Sequence, residues 1–215
     1  MKNPKPYIWL LASMYLAGII GLSIPESKTF FQFLTPFHLF ASFFILVLAQ
    51  KQKNIAFWYF LSFSLLLGFF IEVLGVKTQK IFGAYSYQTT LGPKILEVPP
   101  MIGINWFLMV FCTGIVIDFF LKESNSSLQK SAIGAIILTL FDYIAEPVAI
   151  QQSMWIWEGN IPPVQNYIAW FIISFIMLLV FFKLKFQKIN PLGAPLFIFQ
   201  ILFFTVLRFL IYLQG

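Results

Sequence analysis

Seven stretches of the chain, at about 7–23, 30–50, 55–75, 100–121, 128–151, 164–184 and 193–213, are nearly unbroken runs of apolar residues. A helix needs about 20 such residues to cross ~30 Å of hydrocarbon, since each adds ~1.5 Å. The pattern predicts an all-α transmembrane bundle of about seven spans, with residues 1–215 forming one domain. The first run follows Lys2 and Lys5 as the apolar part of a signal peptide would. No Ala-x-Ala cleavage site precedes Pro25, so it counts as a span.

The segments between the runs differ in basic content. The N-terminus and the connections after runs two, four and six hold Lys2, Lys5, Lys51, Lys53, Lys122, Lys130, Lys183, Lys185 and Lys188. The other connections hold only Lys28, Lys77, Lys80 and Lys94. By the positive-inside rule the N-terminus is cytoplasmic and the C-terminus lies outside. Asn125-Ser126-Ser127 fits a glycosylation pattern but falls on the cytoplasmic side. Residues 76–99, with Gly83, Gly92, Pro93 and Pro99, read as a long non-helical connection. Phe82, Tyr85 and Tyr87 within it suggest an ordered interfacial lid or short hairpin, or else an aromatic belt at headgroup level.

Composition sharpens this picture. Of 215 residues 60% are hydrophobic and 10% charged, too little charge to cover a soluble surface. The net charge of +6 therefore reads as cytoplasmic loops and not as a nucleic-acid footprint. A single histidine, His38, cannot supply a di-iron or zinc site, and a single cysteine, Cys112, forbids a disulfide or an iron–sulfur cluster. There is no glycine-rich nucleotide loop. No metal or cofactor is expected.

Ionisable side chains inside spans are costly and mark function by default. Here they are Glu72, Asp142, Glu146, Arg208 and His38, with Asn105 and Asn166 opening spans four and six. The alternating direction of the spans puts these seven at one depth, beneath the outer surface. Glu146 falls roughly 8 Å and Asp142 roughly 14 Å below the end of span five. Asp142 and Glu146, four apart, share a helix face, and two carboxylates so placed in a low dielectric do not both ionise cheaply. Pro147 removes a helical donor and frees the carbonyl of Tyr143. Trp155, Trp157, Asn166, Tyr167 and Trp170 follow closely. Arg208 reads either as a counter-ion to the acids or as a residue snorkelling to the interface. His38 reads as a hydrogen-bonded structural group. Asp118 and Glu123 read as surface charges at a helix end.

The string Asp142-Tyr143-Ile144-Ala145-Glu146-Pro147-Val148-Ala149, then Trp155-Ile156-Trp157 and Pro163-Val164-Gln165-Asn166-Tyr167, resembles the integral-membrane carotenoid biosynthesis proteins. That family includes the CruF-type carotenoid 1,2-hydratases and bisanhydrobacterioruberin hydratase. Glu72-Val73-Leu74-Gly75-Val76, Phe82-Gly83-Ala84-Tyr85-Ser86-Tyr87, Leu91-Gly92, Val98-Pro99 and Trp106 fit the same pattern, over about residues 70–171. One position departs: Gln79 stands where a small residue, often glycine, is expected.

The resemblance implies addition of water across the C1=C2 double bond of an acyclic ψ end group, as in lycopene, γ-carotene or a C50 analogue. The substrate would reside in the bilayer, here the bacterial cytoplasmic membrane. The residues suit that chemistry. Alkene hydration needs a protonated acid, for which Asp142 or Glu146 serves, with Asp142 preferred as the deeper. The second carboxylate, Glu72 or Asn166 would hold the water. Tyr85, Tyr87, Trp106, Trp155, Trp157 and Trp170 would flank substrate and cation, with His38, Asn105 and Arg208 in support. Two rivals stand beside this reading. A carotenoid cyclase starts with the same protonation, whereas a transport or lipid-binding protein has no turnover. A retinal photoreceptor needs a lysine in the last span, and there is none.

Overall fold

The computed structural model describes residues 3–124 and 126–214, so Lys2 and Asn125 lie outside the described residues. Seven helices, each long and apolar enough to cross a membrane, make up about three quarters of it. They are α1 (Lys5–Ser23), α2 (Pro25–Ala49), α3 (Ile55–Thr78), α4 (Met101–Phe120), α5 (Ser127–Gln151), α6 (Val164–Lys183) and α7 (Gly193–Gln214).

The helix ends follow from local chemistry. Ile24 alone separates α1 from α2. It precedes Pro25, which disfavours helical backbone before it, and Ile24 is accordingly extended (φ −96°, ψ 121°). The corner is tight because Gly21 has no side chain: a Cβ there would sit 2.1 Å from the Phe31 ring. Asn54 caps α3 by accepting the Phe57 N–H at 3.0 Å, and Ser126 caps α5 by accepting that of Gln129 at 3.2 Å. Gln79 ends α3 in the left-handed region (φ 58°). That conformation favours glycine, which explains why a small residue is expected there.

Two boundaries differ from the hydropathy reading. Helix α2 begins at Pro25 and not near residue 30, because its polar first turn carries proline at the start and Glu26 against the helix dipole. Helix α3 runs to Thr78, so the non-helical connection begins at Gln79.

Helix α4 is the axis of the bundle. Fourteen of its residues are buried, whereas α2 buries only Ser42, Leu46 and Ala49. Around α4 pack α2, α3, α5, α6 and α7, and α1 closes against α2 and α7. At one end of the bundle Phe57, Phe60, Phe111, Phe181 and Phe186 form an aromatic core. Lys130 there bridges α5 to Asp118 of α4 at 2.8 Å, at a helix end as the sequence indicates.

The opposite end holds two short strands, β1 (Tyr85–Tyr87) and β2 (Trp155–Trp157). They pair antiparallel, Tyr85 opposite Trp157 and Tyr87 opposite Trp155. The connection after α3 is thus ordered by pairing with the connection after α5, not by a hairpin of its own. Strand geometry sends alternate side chains to opposite faces. Ser86 and Ile156 point out, and all four aromatics share the inner face. The α5 end beneath is tied in by Thr90 Oγ1 to the Gln152 carbonyl (2.7 Å) and by Lys28 Nζ to the Gln151 carbonyl (3.0 Å).

Candidate active site

The inner face of the strand pair covers three buried carboxyls. Glu72, in the last turns of α3, accepts Tyr85 Oη at 2.5 Å and Tyr87 Oη at 2.8 Å on one oxygen, and Trp106 Nε1 at 3.0 Å on the other. Trp106 reaches it because Gly68 gives α4 room: a Cβ on Gly68 would lie 2.6 Å from the Trp106 Cβ. Burial, and then the neighbouring Glu72 charge, push both tyrosine hydroxyls up from their ordinary value, so they remain donors.

Glu146 accepts Trp157 Nε1 at 2.8 Å and Trp155 Nε1 at 3.1 Å, both on Oε2. The W-x-W spacing has a physical reason here: two residues apart on a strand, both indoles reach one oxygen. Asp142, one helical turn earlier, accepts among the described residues only Asn166 Nδ2, at 2.7 Å; the same amide nitrogen lies 3.5 Å from Glu146 Oε1. Asn166 opens α6 and links the two acids. Among the described residues no cation pairs with any of the three carboxyls.

These groups line a chamber of about 30 Å³ together with Phe82, Ile102, Asn105 and the stacked pair Trp106–Trp170, whose ring centres are 4.3 Å apart. A water needs about 10–15 Å³ of such space and two to four polar partners, so the chamber holds one or two. A second, larger cavity of about 420 Å³ adjoins it among α1, α2, α4 and α7, and Ile102, Asn105 and Trp155 line both. Its walls are largely Leu, Phe, Met and Ala.

Of the sequence-derived candidates, Glu72, Asp142, Glu146, Tyr85, Tyr87, Trp106, Trp155, Trp157, Asn105, Asn166 and Trp170 come together at the chamber. Two do not. Arg208 is no counter-ion to the acids. Its Nη1 donates to the Tyr143 carbonyl at 2.6 Å, and its guanidinium lies 4.7 Å from the Tyr143 ring centre. It therefore satisfies the carbonyl that Pro147 frees. His38 lines the larger cavity, meeting Tyr15 edge-on at 4.4 Å between ring centres, with no hydrogen bond among the described residues. Ile102 is a chamber wall that the sequence does not mark, since an apolar residue in a span carries no signal of its own; Phe82, one of the aromatics of the connection after α3, is a wall as well.

A family model for carotenoid biosynthesis proteins matches residues 33–214. No curated protein and no solved structure matches the chain. The chain belongs to the carotenoid biosynthesis protein family and has a role in making carotenoids.

Proposed function

We propose that this carotenoid biosynthesis protein is a cofactor-independent carotenoid hydratase. It adds water across C1=C2 of an acyclic ψ end group in the bacterial cytoplasmic membrane. The observation that carries the reading is the adjacency of two spaces: a water-sized chamber ringed by Asp142, Glu146 and Glu72, and an apolar cavity that shares Ile102, Asn105 and Trp155 with it. Hydration of a hydrocarbon needs such a place, where acid, water and alkene meet.

The three carboxyls have unequal surroundings. Glu72 has three donors and Glu146 has two indoles and a distant amide, while Asp142 has one amide. Donors favour the anion, so the carboxyl with fewest best keeps its proton. Asp142 is therefore the acid and delivers its proton to C2, leaving a tertiary cation at C1. The faces of Trp106, Trp170 and Trp157 stabilise that cation. A water in the chamber attacks C1, and its released proton goes to Glu146. Transfer back through a second water recharges Asp142, so one water is consumed per hydroxyl formed. Glu72 shapes the chamber by fixing Tyr85, Tyr87 and Trp106.

The same protonation followed by attack of an internal double bond would give a cyclase, but the room for water beside the acids favours hydration. Expression in cells that accumulate lycopene tests this. The expected pigment is heavier than lycopene by one water per modified end. A product of unchanged mass, cyclised or not, would overturn the proposal.

A further inference from the structure

The larger cavity contains a feature that hydrocarbon alone does not satisfy. Gln200, on α7, lines it and is 3% exposed, and its Oε1 has no hydrogen-bond partner among the described residues. A buried acceptor left unpaired is unfavourable, and native chains rarely retain one without reason. The neighbours offer it little: Phe203 and Phe204 flank it on its own helix, and His38 faces the Tyr15 edge. The other polar members of the lining are Thr35, whose hydroxyl donates to the Phe31 carbonyl, and Asn105; the rest, such as Leu34, Leu39 and Met14, are apolar.

We infer that the cavity binds an isoprenoid chain bearing a hydroxyl group, and that Gln200 Oε1 accepts the hydroxyl proton. The isoprenoid character rests on the hydratase reading; the need for a donor rests on Gln200 itself. Counted along the helices, Gln200 lies on the order of 10 Å deeper than Asn105, the residue shared with the acid chamber. The hydroxyl is therefore set back from the reacting end, at the depth of Tyr15 and His38. The exposed members of the lining, Ala17 on α1 and Phe37 on α2, put the mouth between these two helices, on the side that faces lipid. A chain then slides in sideways from the bilayer without passing through water.

The test uses the full-length protein in lipid nanodiscs and two probes of equal length: geranylgeraniol, and the hydrocarbon in which a methyl group replaces its CH2OH. Bound probe is quantified by mass spectrometry across a concentration series. The alcohol is expected to bind about tenfold more tightly than the hydrocarbon. Gln200→Leu is expected to erase that difference while hydrocarbon binding persists, and to raise the thermal midpoint of the probe-free protein because an unpaired amide is gone. Ala41→Trp, which fills the cavity, weakens both probes. Equal affinities in the wild type, or a preference that survives Gln200→Leu, would overturn the inference. Binding is read without turnover. A chain that prefers the alcohol but leaves lycopene unhydrated refutes the hydratase and spares this site; the converse refutes this site alone.

Discussion

The two adjoining spaces of the molecule are built on opposite principles. The chamber under the strand pair is small, and most of its polar atoms are paired: three phenol or indole donors on Glu72, two indoles on Glu146, one amide on Asp142. The cavity among α1, α2, α4 and α7 is more than ten times larger and mostly apolar. A rigid, satisfied polar network fixes where a proton and a water can be. A loose apolar space accepts a chain by shape. The difference teaches that chemistry and capture are separable here, and substitutions should separate them.

The largest effect is expected at Asp142. Asp142→Asn keeps the shape and the contact with Asn166 but removes the proton, and turnover should fall about a thousandfold with thermal stability little changed. Pigment analysis together with a melting curve checks both halves. Glu72→Gln should act on the frame. An amide in place of the carboxylate sets its NH2 against donors, at a cost of about 2–4 kcal/mol in stability, read from a melting curve. Trp157→Phe removes one of the two indole bonds to Glu146. It should lower turnover about tenfold and stability by about 1–2 kcal/mol, and a pigment time course beside a melt reads both. In the other space the pattern inverts: Ala41→Trp should raise KM for a carotenoid about tenfold and leave kcat nearly unchanged.

The smallest effect of a substitution lies outside both spaces. Arg208→Met loses the bond to the Tyr143 carbonyl and should cost about 1 kcal/mol in stability, with turnover unaffected. The tyrosines predict a pH dependence of definite sign. Both hydroxyls in the folded protein titrate above their ordinary value of about 10. Their contribution is therefore complete below about pH 10 and declines only above it, as the unfolded chain begins to lose those protons first. Melting curves through neutral and moderately alkaline pH should show no loss from these groups.

Much of this was legible in the sequence for a simple reason. Apolar runs of bilayer length announce helices, and scarce charge inside them makes Glu72, Asp142 and Glu146 visible. What was hidden depended on partners far apart in the chain. Tyr-Ser-Tyr and Trp-Ile-Trp each alternate with period two, but three residues are too few to declare a strand, and nothing local says that the two pair. The partner of Arg208 is a backbone carbonyl, which has no side-chain signature. Gln200 is neutral, so a search for charge in the spans passes over it. Only the three-dimensional cavity shows that its oxygen lacks a partner among the described residues.

Isotope incorporation tests the central claim most directly. The purified protein in nanodiscs is given lycopene in oxygen-18 water, and separately in deuterium oxide, beside its Asp142→Asn variant. The wild type should yield a tertiary alcohol with oxygen-18 on C1 and, in deuterium oxide, one deuterium on C2, while the variant yields almost none. A wild-type product lacking solvent oxygen, or equal labelled product from Asp142→Asn, would contradict the account.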